Sequence, residues 1–171
     1  MRIPLLTALA AACMALPLHA ADPKPEIDRP VGTPQSDGAV HTLRVIPEAC
    51  ARLEGRFTGD AAKPYDFAAV RTSERCQPRA RLVDAAKSGA SAKAGWILND
   101  VIRVPRVACA SQQAVVRVWR KPGTAGKPPV LDAQGRARLY LRDADGGTPE
   151  VDREAIPAYA AAVAIEGKPC R

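Results

Sequence analysis

Imidazole is almost absent from this chain. Only two histidines occur, and His19 lies in the N-terminal apolar run, leaving His41 alone in the body of the sequence. Ser–His–Asp or Cys–His catalysis would have to pass through that one residue, and no Gly-x-Ser-x-Gly elbow accompanies it. His41, within Val40-His41-Thr42-Leu43, is therefore expected to be a partly exposed strand residue. Motifs for other chemistries are missing too. There is no Cys-x-x-Cys redox pair, no phosphate-cradling Gly-x-x-x-x-Gly-Lys and no dinucleotide fingerprint. Wide cysteine spacing with a single remaining histidine argues against a zinc site. No cofactor or metal is expected.

Aromatic residues are scarce, at 4% of the chain. The core must be built from Val, Leu, Ile and Ala, and few rings remain as stacking platforms for single-stranded nucleic acid; a nucleic-acid partner is not expected. Long apolar runs are also lacking after the N-terminus. The run from Ile3 to Leu18 follows Arg2, is broken by Pro4 and Pro17, and is followed by Leu18-His19-Ala20. It reads as an export signal over residues 1–20, with no transmembrane span in the mature chain. Ala10-Ala11-Ala12-Cys13 lacks the leucine of a lipoprotein box, and apolar sequence continues past it, so cleavage after Ala20 is expected in place of acylation at Cys13. The predicted location is periplasmic or secreted.

What is present fits that address. Four cysteines follow the signal: Cys50, Cys76, Cys109 and Cys170. In an oxidising compartment an even number predicts disulfides. Four cysteines allow three pairings; the pairing favoured here is Cys50 with Cys76, closing a local loop, and Cys109 with Cys170, pinning the C-terminal segment to the central sheet. Sixteen prolines and twelve glycines are many for a helical bundle and suit short strands and turns.

Residues 21–38 are rich in proline and polar side chains, and are expected to be a flexible extended leader. Residues 39–171 are expected to form one disulfide-stabilised β-rich domain. Its strand candidates are Val40–Ile46, Glu48–Phe57, where Pro47 could instead open a short helix ending at Gly55 but the alternation favours a strand, Tyr65–Thr72, Arg79–Asp84, Trp96–Val104 ended or bent by Pro105, and Gln113–Arg120; Lys87–Gly95 reads as loop. The clearest period of two is Arg136–Arg142, with Ala137, Leu139 and Leu141 on one face. Alanine-rich sequence after Asp152, with Ile156, Tyr159 and Val163 at helical spacing and Gly167 beyond, predicts a helix over Glu154–Glu166. The fold class expected is mainly β, an antiparallel sandwich or partial barrel with one C-terminal α-helix and two disulfides. Asp132-Ala133-Gln134-Gly135-Arg136, a strand, and Val151-Asp152-Arg153-Glu154-Ala155-Ile156 together resemble the turn–strand–helix of TonB-type C-terminal periplasmic domains. The Ser-Ser-Gly usual there is Asp-Gly-Gly here, and no function is carried over.

The formal net charge is +7, and it is unevenly placed. Residues 21–43 hold two basic and four acidic side chains, whereas residues 44–121 hold fifteen basic and seven acidic ones. A basic middle of this kind attracts anionic partners, here an acidic envelope protein or an anionic polysaccharide or lipid surface. Arg136, Arg138, Tyr140 and Arg142 share one predicted strand face and form the candidate binding surface. Carboxylate-only hydrolysis is the alternative, drawing on Glu54, Asp66, Asp100, Asp143 or Glu150. Among these Asp100 stands out, because Asn99-Asp100 interrupts an apolar strand. Asp143-Ala144-Asp145-Gly146-Gly147 opens like a calcium loop but lacks its later ligands and is read as a turn. The function expected is a non-catalytic interaction module of the bacterial cell envelope, with a carboxylate-dependent hydrolase or a structural assembly protein as alternatives.

Overall fold

A computed structural model describes residues 23–123 and 156–170. The expected signal segment lies outside these residues, as do Arg136–Arg142, Asp143, Glu150 and the Asp143–Gly147 turn. The described chain is mainly β, in two sheets. The first is β1 (His41–Ile46), β2 (Ala51–Phe57) and β3 (Tyr65–Arg71), in that order and antiparallel throughout. The second has the order β4 (Arg81–Asp84), β7 (Ala158–Gly167), β6 (Cys109–Lys121), β5 (Ile97–Arg106).

Alternation writes the first sheet directly. In β2, Ala51, Leu53, Gly55 and Phe57 are buried, while Arg52 and Arg56 face water and Glu54 is half-buried. A tight 3-10 turn over Pro47–Ala49 precedes it. Gly55 has a specific reason to be glycine: Tyr65 lies across it, so any β-carbon would collide with the phenol ring. Leu43, Ile46, Leu53 and Phe57 of this sheet share one core with Ile102, Val104, Val116, Val118 and Tyr159 of the other.

The second sheet is covered on both faces. Along β6, Ala114, Val116 and Val118 enter the shared core. Val115 and Trp119 enter a second cluster, with Trp96, Leu98, Val101, Ala158 and Ala160. Strands buried on both sides read as continuous apolar runs, as β6 does. A bulge in β5 between Leu98 and Asp100 switches faces: Leu98 and Val101, three apart, face the second cluster, and Ile102 and Val104 face the shared core. The register of β5 shifts between Pro105 and Arg106, where the strand finishes; among the described strands β5 lies at the edge of its sheet, where a missing N–H is tolerated.

Two expectations are corrected. The alanine-rich C-terminal segment is the strand β7, not a helix. Tyr159, Ala161, Val163 and Ile165 point into the shared core and Ala158 and Ala160 into the second cluster. Tertiary pairing with β6 along the whole strand overrides helix propensity. Second, the sheets are not wholly antiparallel, because β4 pairs parallel to β7 from Arg81↔Ala158 to Asp84↔Ala161. Residues 23–38, the expected leader, are extended and lie along β5. The interval Lys87–Gly95 is loop apart from the end of one short helical turn, α1 (Ala85–Ser88), and a 3-10 turn (Ala92–Ala94). The Asp84 carboxylate accepts from the Lys87 backbone N–H and caps α1.

Both disulfides have the expected partners, Cys50–Cys76 and Cys109–Cys170, with Cα atoms 5.8 and 5.7 Å apart. Cys50 takes a left-handed conformation, φ 50°, where the 3-10 turn hands over to β2. Among the described residues no helix is long and apolar enough to cross a membrane.

Candidate binding surfaces

The sequence-predicted surface of Arg136, Arg138, Tyr140 and Arg142 lies outside the described residues. The other candidates can be placed. His41 Nδ1 lies 3.2 Å from the Ala39 carbonyl, which can only accept, so this nitrogen carries the proton of the neutral ring. Nε2 is then the acceptor for the Tyr65 hydroxyl, 2.7 Å away. Burial pushes the His41 pKa below its ordinary value and the Tyr65 pKa well above its own. The ring packs beside Phe57 and Tyr65. Both nitrogens are committed, so His41 acts as a structural acceptor.

Of the carboxylates proposed for hydrolysis, the three among the described residues, Glu54, Asp66 and Asp100, are each held by arginine. Glu54 accepts from Arg52 along the same strand. Asp66 accepts from Arg56 at 2.6 Å, directly across the β2–β3 ladder, and pairs with Lys63; both cations lower its pKa. Asp100 is fully buried. The β5 bulge turns it between the sheets, where Arg29 reaches it from the leader through Nε at 3.2 Å and Nη2 at 2.7 Å, and Arg44 reaches it from β1 at 3.3 Å. A buried carboxylate held by two guanidiniums is a joint between three elements. Among the described residues no group of His, Cys, Asp and Glu could hold a metal ion.

Asp100 is one of three clamps on the leader. Glu26 makes a forked pair with Arg120 of β6, at 3.2 and 2.6 Å, and accepts from the Asn99 amide at 2.6 Å. Asp37 makes a second fork with Arg106, at 2.7 and 2.6 Å. These arginines hold both acids below the ordinary carboxylate range. Arg106 also donates to Gln112 and lies over the Phe57 ring. Part of the basic excess of the middle region is thus neutralised by the acidic leader, a pairing that sequence alone could have signalled only through their opposite net charges.

Other arginines are not neutralised this way. Arg71 ends β3, and the β3–β4 connection carries Arg75 and Arg79 against Glu74 and is tied at Cys76 to Cys50. Arg71 folds back to donate to the carbonyls of Ser73, Glu74 and Cys76, while backbone N–H groups of Arg79 and Ala80 donate to the Glu48 carbonyl. The loop is therefore fixed, with the side chains of Arg75 and Arg79 exposed and without an acidic partner among the described residues. Beside it, β3, β4, α1 and β7 line an open groove of about 450 Å³, bounded by Phe67, Ala69, Leu82, Ala85 and Val163. Its lining is apolar apart from Asp84, whose carboxylate is occupied in capping α1. No family model, curated protein or solved structure matches this chain, so its function has to be argued from these surfaces alone.

Proposed function

We propose that this chain is an exported, non-catalytic interaction module of the bacterial cell envelope that engages an acidic protein or anionic polymer through a basic surface. The observation that carries this reading is the disulfide-tied β3–β4 loop, which presents Arg75 and Arg79 to solvent, neither paired with an acid among the described residues. A fixed backbone lowers the entropy lost when such side chains engage a ligand. Two disulfides and the lack of a membrane-crossing helix among the described residues are compatible with an extracytoplasmic protein. Of the acids named for the hydrolase alternative, the three among the described residues, Glu54, Asp66 and Asp100, each hold a guanidinium, which favours binding as the reading.

The test is binding to immobilised polyglutamate and to polygalacturonate, with Arg75→Glu/Arg79→Glu as the comparison. Two exposed charge contacts of about 0.5–1 kcal/mol each predict an affinity loss of about tenfold or more on reversal. Binding should also weaken as salt rises. Unchanged affinity in the double variant would remove this loop from the function.

A further inference from the structure

The leader lies on β5 the way a peptide ligand lies on a sheet edge. Among the described strands β5 is bordered by β6 alone, and its other side presents main-chain carbonyls. Four of these accept backbone N–H groups of the leader: Leu98 from Glu26, Asn99 from Ile27, Arg103 from Gly32 and Pro105 from Gln35, at 2.8–2.9 Å. Isolated parallel bridges, Ile27 with Asp100 and Gln35 with Arg106, mark the two ends. Between them the leader uses two more residues than β5 does. Gly32 allows close approach there, since a β-carbon would sit 3.1 Å from the Arg103 carbonyl oxygen.

What holds the leader is polar. Its residues are exposed except for Pro25, Ile27 and Gln35, which are half-buried, so little hydrophobic stabilisation opposes its departure. The Glu26–Arg120 and Asp37–Arg106 forks lie at the surface, where such pairs are worth about 0–1 kcal/mol each. Departure would not strand the buried charge: Asp100 would lose Arg29 but keep Arg44.

We propose that the β5 edge is a docking site for an extended acidic polypeptide segment of a partner protein, and that the leader is the resident occupant which this segment displaces. A row of carbonyl acceptors asks for a row of peptide N–H groups, which a polysaccharide or lipid does not offer. Arg120 and Arg106 ask for carboxylates, and the open side of Asp100 asks for a guanidinium between them. The leader supplies this set as Glu26, Arg29 and Asp37, so a displacing segment carries two acids about eleven residues apart with an arginine near the first. The proposal sharpens the acidic-partner reading above but uses another surface, so failure of the Arg75/Arg79 test leaves it standing, and the reverse holds.

A labelled peptide of residues 23–38 is the probe, titrated onto the full chain. Variants Glu26→Arg/Asp37→Arg, and the milder Glu26→Gln/Asp37→Asn, loosen the resident leader. Because apparent affinity scales with the fraction of open sites, both should bind the peptide about tenfold or more tightly than wild type. Adding Arg106→Glu/Arg120→Glu, or Arg106→Gln/Arg120→Gln where reversal unfolds the domain, should abolish that gain. Equal affinity for wild type and both leader variants, or a gain that survives loss of Arg106 and Arg120, overturns the proposal.

Discussion

At the scale of single residues, Asp100 has the largest mechanical role. It is the only fully buried acid among the described residues, and the two guanidiniums it holds come from different elements, the leader and β1. Replacing it with Asn keeps the shape and removes the charge, leaving two arginines facing a neutral amide. Breaking a buried pair by removing one partner typically costs about 3–5 kcal/mol, and Asp100→Asn should lose stability in that range by urea unfolding. A loss below about 1 kcal/mol would mean that solvent or rearrangement replaces the contact. Sequence reading singled out Asp100 as an anomaly in an apolar strand. Its role was not legible, because both partners lie more than fifty residues away.

At the scale of elements, local patterning and tertiary context divide the fold between them. Strands β1, β2, β3, β5 and β6 announce themselves through alternation or β-branched runs, and each stands close to where these signals put it. The last strand did not. Small alanines at alternate positions in Ala158–Ala164 blur the period of two, and spacing that also satisfies a helix gave the wrong answer. The contrast that would have distinguished them is size: Tyr159, Val163 and Ile165 fall on one side of a pleat, Ala160, Ala162 and Ala164 on the other. The place of the leader was hidden for a different reason. Prolines and polar residues describe a chain with little to bury, which is true of it, but its bonds go to carbonyls seventy residues away.

Leader docking should respond to acid. Arg120 and Arg106 hold Glu26 and Asp37 below their ordinary values of 4.5 and 3.8. Depressed folded values mean that the stabilisation is complete above the unfolded values and disappears as pH falls through the folded ones. Cleavage within residues 23–38 by an acid-active protease should therefore rise as pH drops below about 4. Glu26→Gln/Asp37→Asn should already be cleaved faster at pH 5, with a flatter pH profile. A profile identical to wild type would show that the two carboxylates do not hold the leader.

At the scale of the whole molecule, two sheets are tied by a shared core and by two disulfides of different reach. Cys50–Cys76 spans 26 residues within the first sheet and its exit, whereas Cys109–Cys170 spans 61 and fastens the segment after β7 to the start of β6. Loop-closure entropy predicts that removing each costs about 3–4 kcal/mol, with the longer one costing more by about 1 kcal/mol. Unfolding of Cys50→Ser/Cys76→Ser and Cys109→Ser/Cys170→Ser proteins by guanidinium measures this order; the reverse order would locate the shorter bridge's contribution in the native loop. The two bridges were legible from cysteine parity, compartment and loop length. The binding surfaces were less so. Net charge by segment pointed to the middle region, but which arginines are already occupied depends on the register of β5, β6 and the leader.

The position of β7 sets the timing of assembly. Among the described strands it lies in the interior of its sheet and is the one partner of β4, and it borders β6 from Gln112 to Lys121. A chain made from its N-terminus has produced every other described strand before Ala158 appears. Until then β4 and one flank of β6 lack the strand that joins them, so a nascent chain stalled short of this point holds a sheet without its β7. Such an exposed flank invites pairing with other chains, and the last ten-residue strand is therefore the step that ends the period of greatest vulnerability.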